Sequence, residues 1–156
     1  DEYYSGLAAL PECAGLELGL TISGGVDANH NSGEEQLLAM LRRHGVPRKW
    51  SYVLTLVTST MAAIDKDPHF GLASGDERGR RAAVEMGRLA CSAVSRLNAV
   101  AGDGAVRFVE LQSGPSVLAK AAAAGVSSSA AALARSLREL AELDWQGARL
   151  VLEHCD

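Results

Sequence analysis

A chain of 156 residues with 47% hydrophobic and 22% charged side chains has the balance of a water-soluble globular domain and enough length for its own core. Its formal net charge is −4, and it lacks a basic stripe interleaved with aromatics, which argues against nucleic acid or an anionic membrane surface as partner. No apolar run approaches the ~20 residues that span a bilayer, and no secretory signal pattern is read, so the expected setting is cytoplasmic. The three cysteines, Cys13, Cys91 and Cys155, are scattered. They read as free structural thiols in a reducing compartment, with Cys91 a small core residue.

In chain order, Tyr3, Tyr4, Leu7, Ala8 and Leu10 have helical spacing. Leu16 to Ile22 alternates as a short strand, and Ser23 to Gly33 is a loop by composition. Ser32 can cap a helix that runs through Leu37, Leu38, Met40 and Leu41 to Gly45. Tyr52 to Thr58 is apolar without sharp alternation, as in a strand covered on both faces. A long loop is expected from there to about Gly75. Asp76 then caps an amphipathic helix from Glu77 to about Ala101, with Ala83, Met86, Leu89, Ala90, Val94 and Leu97 along one side. Ala105 to Gln112 is the next strand, and Ala119 to Ala124 a short helix or a loop. Ser127 to Ser129 lead into a helix with the stripe Ala132, Leu133, Leu137, Leu140 and Ala141. Asp144 to Gly147 is a turn before the last strand, Arg149 to Leu152.

Helix and strand therefore alternate four times, which predicts an α/β class with a parallel sheet. Two closures fit: an open doubly wound sheet and a (β/α)8 barrel. A barrel takes about 250 residues, so four strands in 156 residues make about half of one. The chain opens at Asp1, already in a helical pattern, and closes just past a strand. The expectation is one domain, residues 1–156, cut from the N-terminal or central half of a longer barrel. The open sheet edges of such a half invite self-association into a homo-oligomer.

In either closure, sites form at the C-terminal ends of the strands. Those ends offer Ser23, Gly24, Gly25 and His30, then Thr58, Ser59 and Thr60, then Glu110, Gln112 and Ser113, and finally Glu153, His154 and Asp156. A strand-end carboxylate suits a hard divalent cation, or zinc with imidazole partners. An isolated Glu-His pair more often forms a salt bridge or caps a helix. Adjacent Glu153 and His154 point to opposite faces of a strand, and parity alone leaves open which face is interior. Gly24-Gly25 lacks the lysine of a phosphate loop, and no nucleophile elbow is found. His44 and His69 read as surface residues, and Arg78-Gly79-Arg80-Arg81 as a solvated helix face.

Phe70-Gly71-Leu72-Ala73-Ser74-Gly75-Asp76-Glu77-Arg78, followed by Arg81-Ala82-Ala83-Val84, resembles the L-A-S-x-D … R-x-x-A-V start of a helix in xylose isomerase-like TIM barrels. That superfamily holds sugar isomerases, epimerases and the endonuclease IV group. Leu133 to Leu143, Gly147 and Leu150 to His154 resemble a second superfamily pattern. Gly125 to Ala130 with the Leu-Glu-His-Cys-Asp ending resembles a bacterial branch of it, the DUF4862 family. The resemblance covers nearly the whole chain and implies strands two to five of eight. It implies that Glu153 binds a divalent metal (Mn, Mg, Co or Zn) and takes part in proton transfer. The remaining ligands would lie beyond Asp156. Where many members end the fourth strand with a histidine motif, this chain has Gln112-Ser113-Gly114.

The leading expectation is part of a metal-dependent sugar isomerase or epimerase-like barrel that moves a proton next to a carbonyl. Glu153 is its catalytic and metal residue, Gln112, His30 and Thr58 its substrate contacts, and a small sugar-like molecule its partner. With one ligand of about four, the segment alone is expected to be inactive. The first alternative is a non-catalytic barrel that binds a sugar or a protein. The second, a metal-dependent phosphodiesterase of endonuclease IV type, is disfavoured by the acidic balance.

Overall fold

Four short runs rich in apolar and β-branched residues form one sheet: β1 (Gly19–Ser23), β2 (Ser51–Thr55), β3 (Val106–Gln112) and β4 (Arg149–Glu153). The structure is a computed structural model that describes residues 6, 9, 10, 19–23, 38, 39, 42, 43, 51–114 and 126–153, with backbone alone for 19–23 and 126–128. Every pairing is parallel and the strand order is β1-β2-β3-β4. Parallel neighbours need a crossover. After β2 come α1 (Val57–Lys66) and α2 (Glu77–Ala101), and α3 (Val126–Ala141) joins β3 to β4. The expected α/β class and parallel sheet are present. Among the described residues the sheet is open, with β1 and β4 as its edges.

One face of the sheet carries the core. Leu54, Val109 and Leu111 are buried there with Ala90, Val94 and Leu97 of α2 and Leu140 of α3. The stripe on α2 differs from the expected one at Leu89, which is 48% exposed. The helix turns Gly87 inward instead. A Cβ at Gly87 would lie 2.5 Å from Leu140 Cδ2, so its absence lets the two helices close. Cys91 is half-buried at the margin of this core, and its thiol donates to Asp144 O at 3.2 Å. Asn98 ties the lower end together: its Oδ1 accepts from Val106 N at 2.9 Å and its Nδ2 donates to Gln146 Oε1 at 3.2 Å.

Two expectations fail between β2 and α2. The strand stops at Thr55, and the predicted loop contains α1. Thr58, expected at a strand end, is an exposed residue of the first turn of that helix. Val57, Thr58 and Thr60 are β-branched and favour strands locally. The packing that overrides this buries Thr60 and half-buries Ala63 and Ile64 against the core.

The second correction concerns Arg78 to Arg81. Gly79 and Arg80 are buried, while Arg78 and Arg81 are exposed. Any Cβ at Gly79 would collide with the carbonyl of His69. Arg80 is 4% exposed and spends its donors on two helices. Its Nε and Nη2 grip Glu77 Oε2 and Oε1 at 2.9 and 2.7 Å. Its Nη1 reaches Glu139 Oε1 at 2.7 Å and Ser136 Oγ at 3.2 Å on α3. Ser136 Oγ in turn donates to Leu72 O at 2.8 Å. A planar five-donor fork can satisfy this arrangement, and a lysine cannot.

Arg80 and then Arg81 hydrogen-bond Glu77 and hold its carboxyl at about 2, well below the ordinary 4.5. A depressed carboxylate contributes stability that is present above its unfolded value and lost as pH falls through its folded one. Stability is therefore expected to fall between pH 4.5 and about 2, and Glu77→Gln should flatten that limb in acid titrations of unfolding. Arg80→Met should cost about 2 kcal/mol in denaturant unfolding, below the full cost of a broken buried pair because its carboxylate partners reach water.

Candidate functional site

The face of the sheet turned away from α2 holds the residues that chemistry can use. In a parallel sheet, registered partners share a face. Val53, Phe108 and Arg149 make the lowest row, with Phe108 39% exposed. Thr55, Glu110 and Val151 make the next. At the C-terminal edge, Gln112 and Glu153 stand side by side. Along β3 and at the end of β4 the face becomes polar toward the C-terminal edge, from Phe108 through Glu110 to Gln112 and Glu153. The parity left open by the sequence is settled: Glu153 shares its face with Gln112 and Glu110, while Leu150 packs against the core on the other side.

Gln112 is 5% exposed. Its Nε2 donates to Met61 Sδ of α1 at 3.3 Å. Its Oε1 is buried and has no hydrogen-bond partner among the described residues. A buried acceptor left dry costs about 1–3 kcal/mol, and native structures keep few such groups without a reason. Thr55 is buried next to Glu110 in register, and its Oγ1 accepts from Val57 N at 3.3 Å where β2 turns into α1. Glu110 and Glu153 are both half-buried.

A loop built from the L-A-S-x-D residues closes over the end of β3. Ala73 N donates to Ser113 O at 2.9 Å. Ser74, 2% exposed, accepts from Asp76 N at 3.1 Å. Asp76 Oδ1 caps α2 by accepting from Gly79 N at 2.9 Å, and this bond holds its carboxyl below the usual carboxylate range. Gly114 has φ +35°, and a Cβ there would sit 3.0 Å from Gly71 Cα. The motif therefore positions the strand end and brings no side chain to it.

Of the four residues expected to act, the fold brings Gln112 and Glu153 together. Thr58 stays away on the exposed turn of α1, and His30 lies outside the described residues. So do His154 and Asp156. Sequence reading missed Met61 and Thr55, since both depend on where β2 ends. A metal is the cofactor that the strand-end glutamate suggests. Glu110, Glu153 and the free Gln112 oxygen are hard donors, but no group of three His, Cys, Asp or Glu that could hold a metal forms among the described residues. Among the described residues that set falls short of the six or more oxygens such ions take. No described helix is long and apolar enough to cross a membrane.

The family model described as "Domain of unknown function (DUF4862)" matches residues 1–156. The chain is also similar to "Uncharacterized protein STM3670" of Salmonella typhimurium strain LT2, 36% identical over 155 residues. That match covers 99% of this chain and 45% of the relative, so the chain spans less than half the relative's length. No solved structure matches the chain.

If the unpaired oxygen of Gln112 is kept for a ligand, removing it should not weaken the fold. Gln112→Met, which conserves shape beside Met61, should leave stability unchanged or raise it by about 1 kcal/mol in denaturant unfolding. A clear loss of stability would show that the amide is structural.

Proposed function

This chain belongs to the DUF4862 family, and from that premise we propose that it is part of a (β/α)8 barrel that isomerises or epimerises a small sugar-like substrate. Supporting the barrel is a strand order that never reverses, with the core helices on one face of the sheet. A doubly wound sheet reverses its order at a switch point. Its resemblance to xylose isomerase-like barrels points the same way.

The observation that carries the functional reading is the pair at the C-terminal edge: a half-buried carboxylate, Glu153, beside a buried amide oxygen that lacks a partner among the described residues. That is a base next to a group that orients a hydroxyl. For isomerisation, Glu153 takes the proton from the hydroxyl-bearing carbon beside the substrate carbonyl and returns it to the carbonyl carbon on the same face, while the hydroxyl proton passes to the carbonyl oxygen. Gln112 Oε1 accepts from a substrate hydroxyl and fixes the sugar against the carboxylate.

The second reading is a non-catalytic sugar-binding barrel, favoured by Gln112 standing where the resemblance expects a histidine motif. One experiment separates the two. The full-length protein is incubated with D-xylose and other aldoses in deuterated water, and loss of the C2 proton signal is followed by NMR. We expect exchange in the wild type and a fall of at least about a hundredfold in Glu153→Gln, with binding retained. Exchange that survives the substitution contradicts the role of Glu153, and binding without any exchange selects the second reading.

A further inference from the structure

We propose that Met61 is a specificity-determining residue. It orients the Gln112 carboxamide so that Oε1 is the atom offered to the ligand. The site therefore takes a ligand that donates a hydrogen bond, an O–H or N–H, at that position. The inference rests on the reading of the strand-end pair as a ligand site and adds which polarity it selects.

An amide can sit either way round, and its neighbours decide. A thioether sulfur carries lone pairs and no proton, so it accepts and never donates. With Nε2 3.3 Å from Met61 Sδ, the donor faces the acceptor. Turned over, Oε1 would face the sulfur with no proton between them, and the N–H now bonded to Met61 Sδ would lose its partner. The observed orientation leaves Oε1 buried and unpartnered among the described residues. A ligand acceptor at that point would meet a second acceptor and be rejected.

Met61 is held in place by the helix it belongs to. Thr60 is 4% exposed and turns its hydroxyl toward Met86 Sδ, 3.8 Å away on α2. Residues three apart share a helix face, and Ile64 sits on the side of Met61. A Cβ at Gly114, just past β3, would lie 3.4 Å from Ile64 Cδ1. The 61/64 side of α1 therefore lies over the end of β3. Met61 itself is 46% exposed, so it reaches Gln112 from the solvent side. A substitution there is expected to leave the core intact.

The test uses the full-length protein labelled with 15N-glutamine. In the wild type, the Gln112 side-chain amide should show an NOE to the Met61 ε-methyl and slow exchange with water. Met61→Leu should shift that amide and speed its exchange while the backbone spectrum stays in place. An unchanged Gln112 amide in Met61→Leu overturns the orienting role. The second arm compares D-xylose with its singly deoxyfluoro analogues, in which fluorine keeps the size of a hydroxyl but cannot donate. One analogue should bind about tenfold more weakly to the wild type, and Met61→Leu should narrow that gap. If D-xylose binds and every fluorinated analogue binds equally well, the proposal falls. If D-xylose does not bind, the sugar reading fails, and the amide arm alone decides the role of Met61.

Discussion

A buried guanidinium holds this fold in register. Arg80 leaves α2 facing inward and meets Glu77 on its own helix and Glu139 and Ser136 on α3. Burying such a group unpaired costs several kcal/mol, so α2 and α3 have to come together at this point. Ser136 then passes the constraint to Leu72 O, and Ala73 passes it to Ser113 O at the end of β3. The chain of contacts runs from an ion pair between helices to the strand end where Gln112 sits. Glycine makes the approach close enough: Gly79 lies against the backbone of His69 and Gly87 against Leu140.

The sheet converts this scaffold into a two-sided object. Its helix side is closed by Leu54, Val109, Leu111 and the α2 stripe, and is largely apolar. Its other side changes character along the strands, from Phe108 and Val53 to Glu110, Gln112 and Glu153. Burial of the apolar face supplies the stability. The polar end draws on it, because the Gln112 oxygen is buried without a hydrogen-bond partner among the described residues. Proteins hold such groups where a ligand completes them. The relative of more than twice this length carries further chain outside the matched segment.

Much of the fold was legible in the residues. Helix α2 was read from Asp76 to Ala101, because its cap, its dipole-matched Glu77 and its terminal Gly102 are all local signals. Alternation of helix and strand gave the parallel sheet for the same reason. Helix α1 was not legible: Val57, Thr58 and Thr60 have strand propensity, and only contacts with Met86 and the core make them helical. That error moved the end of β2 and hid Thr55 and Met61 as neighbours of the site. Arg80 was misread because a run of four polar or small residues looks like a wet face. Its burial depends on Glu139 and Ser136, more than fifty residues away. The Gln112–Glu153 pair was half legible. Each residue stood out at a strand end, but only the β3–β4 register puts them side by side.

The most direct test is whether, and where, D-xylose perturbs the protein. Backbone and side-chain amide shifts of the full-length protein are followed as D-xylose is added. The account predicts that the largest changes fall on Gln112, Glu153 and Met61, with those of α2 and the Leu54–Leu111 face unmoved. Changes centred on the helix side, or on the Arg80 cluster with the strand ends silent, would contradict it.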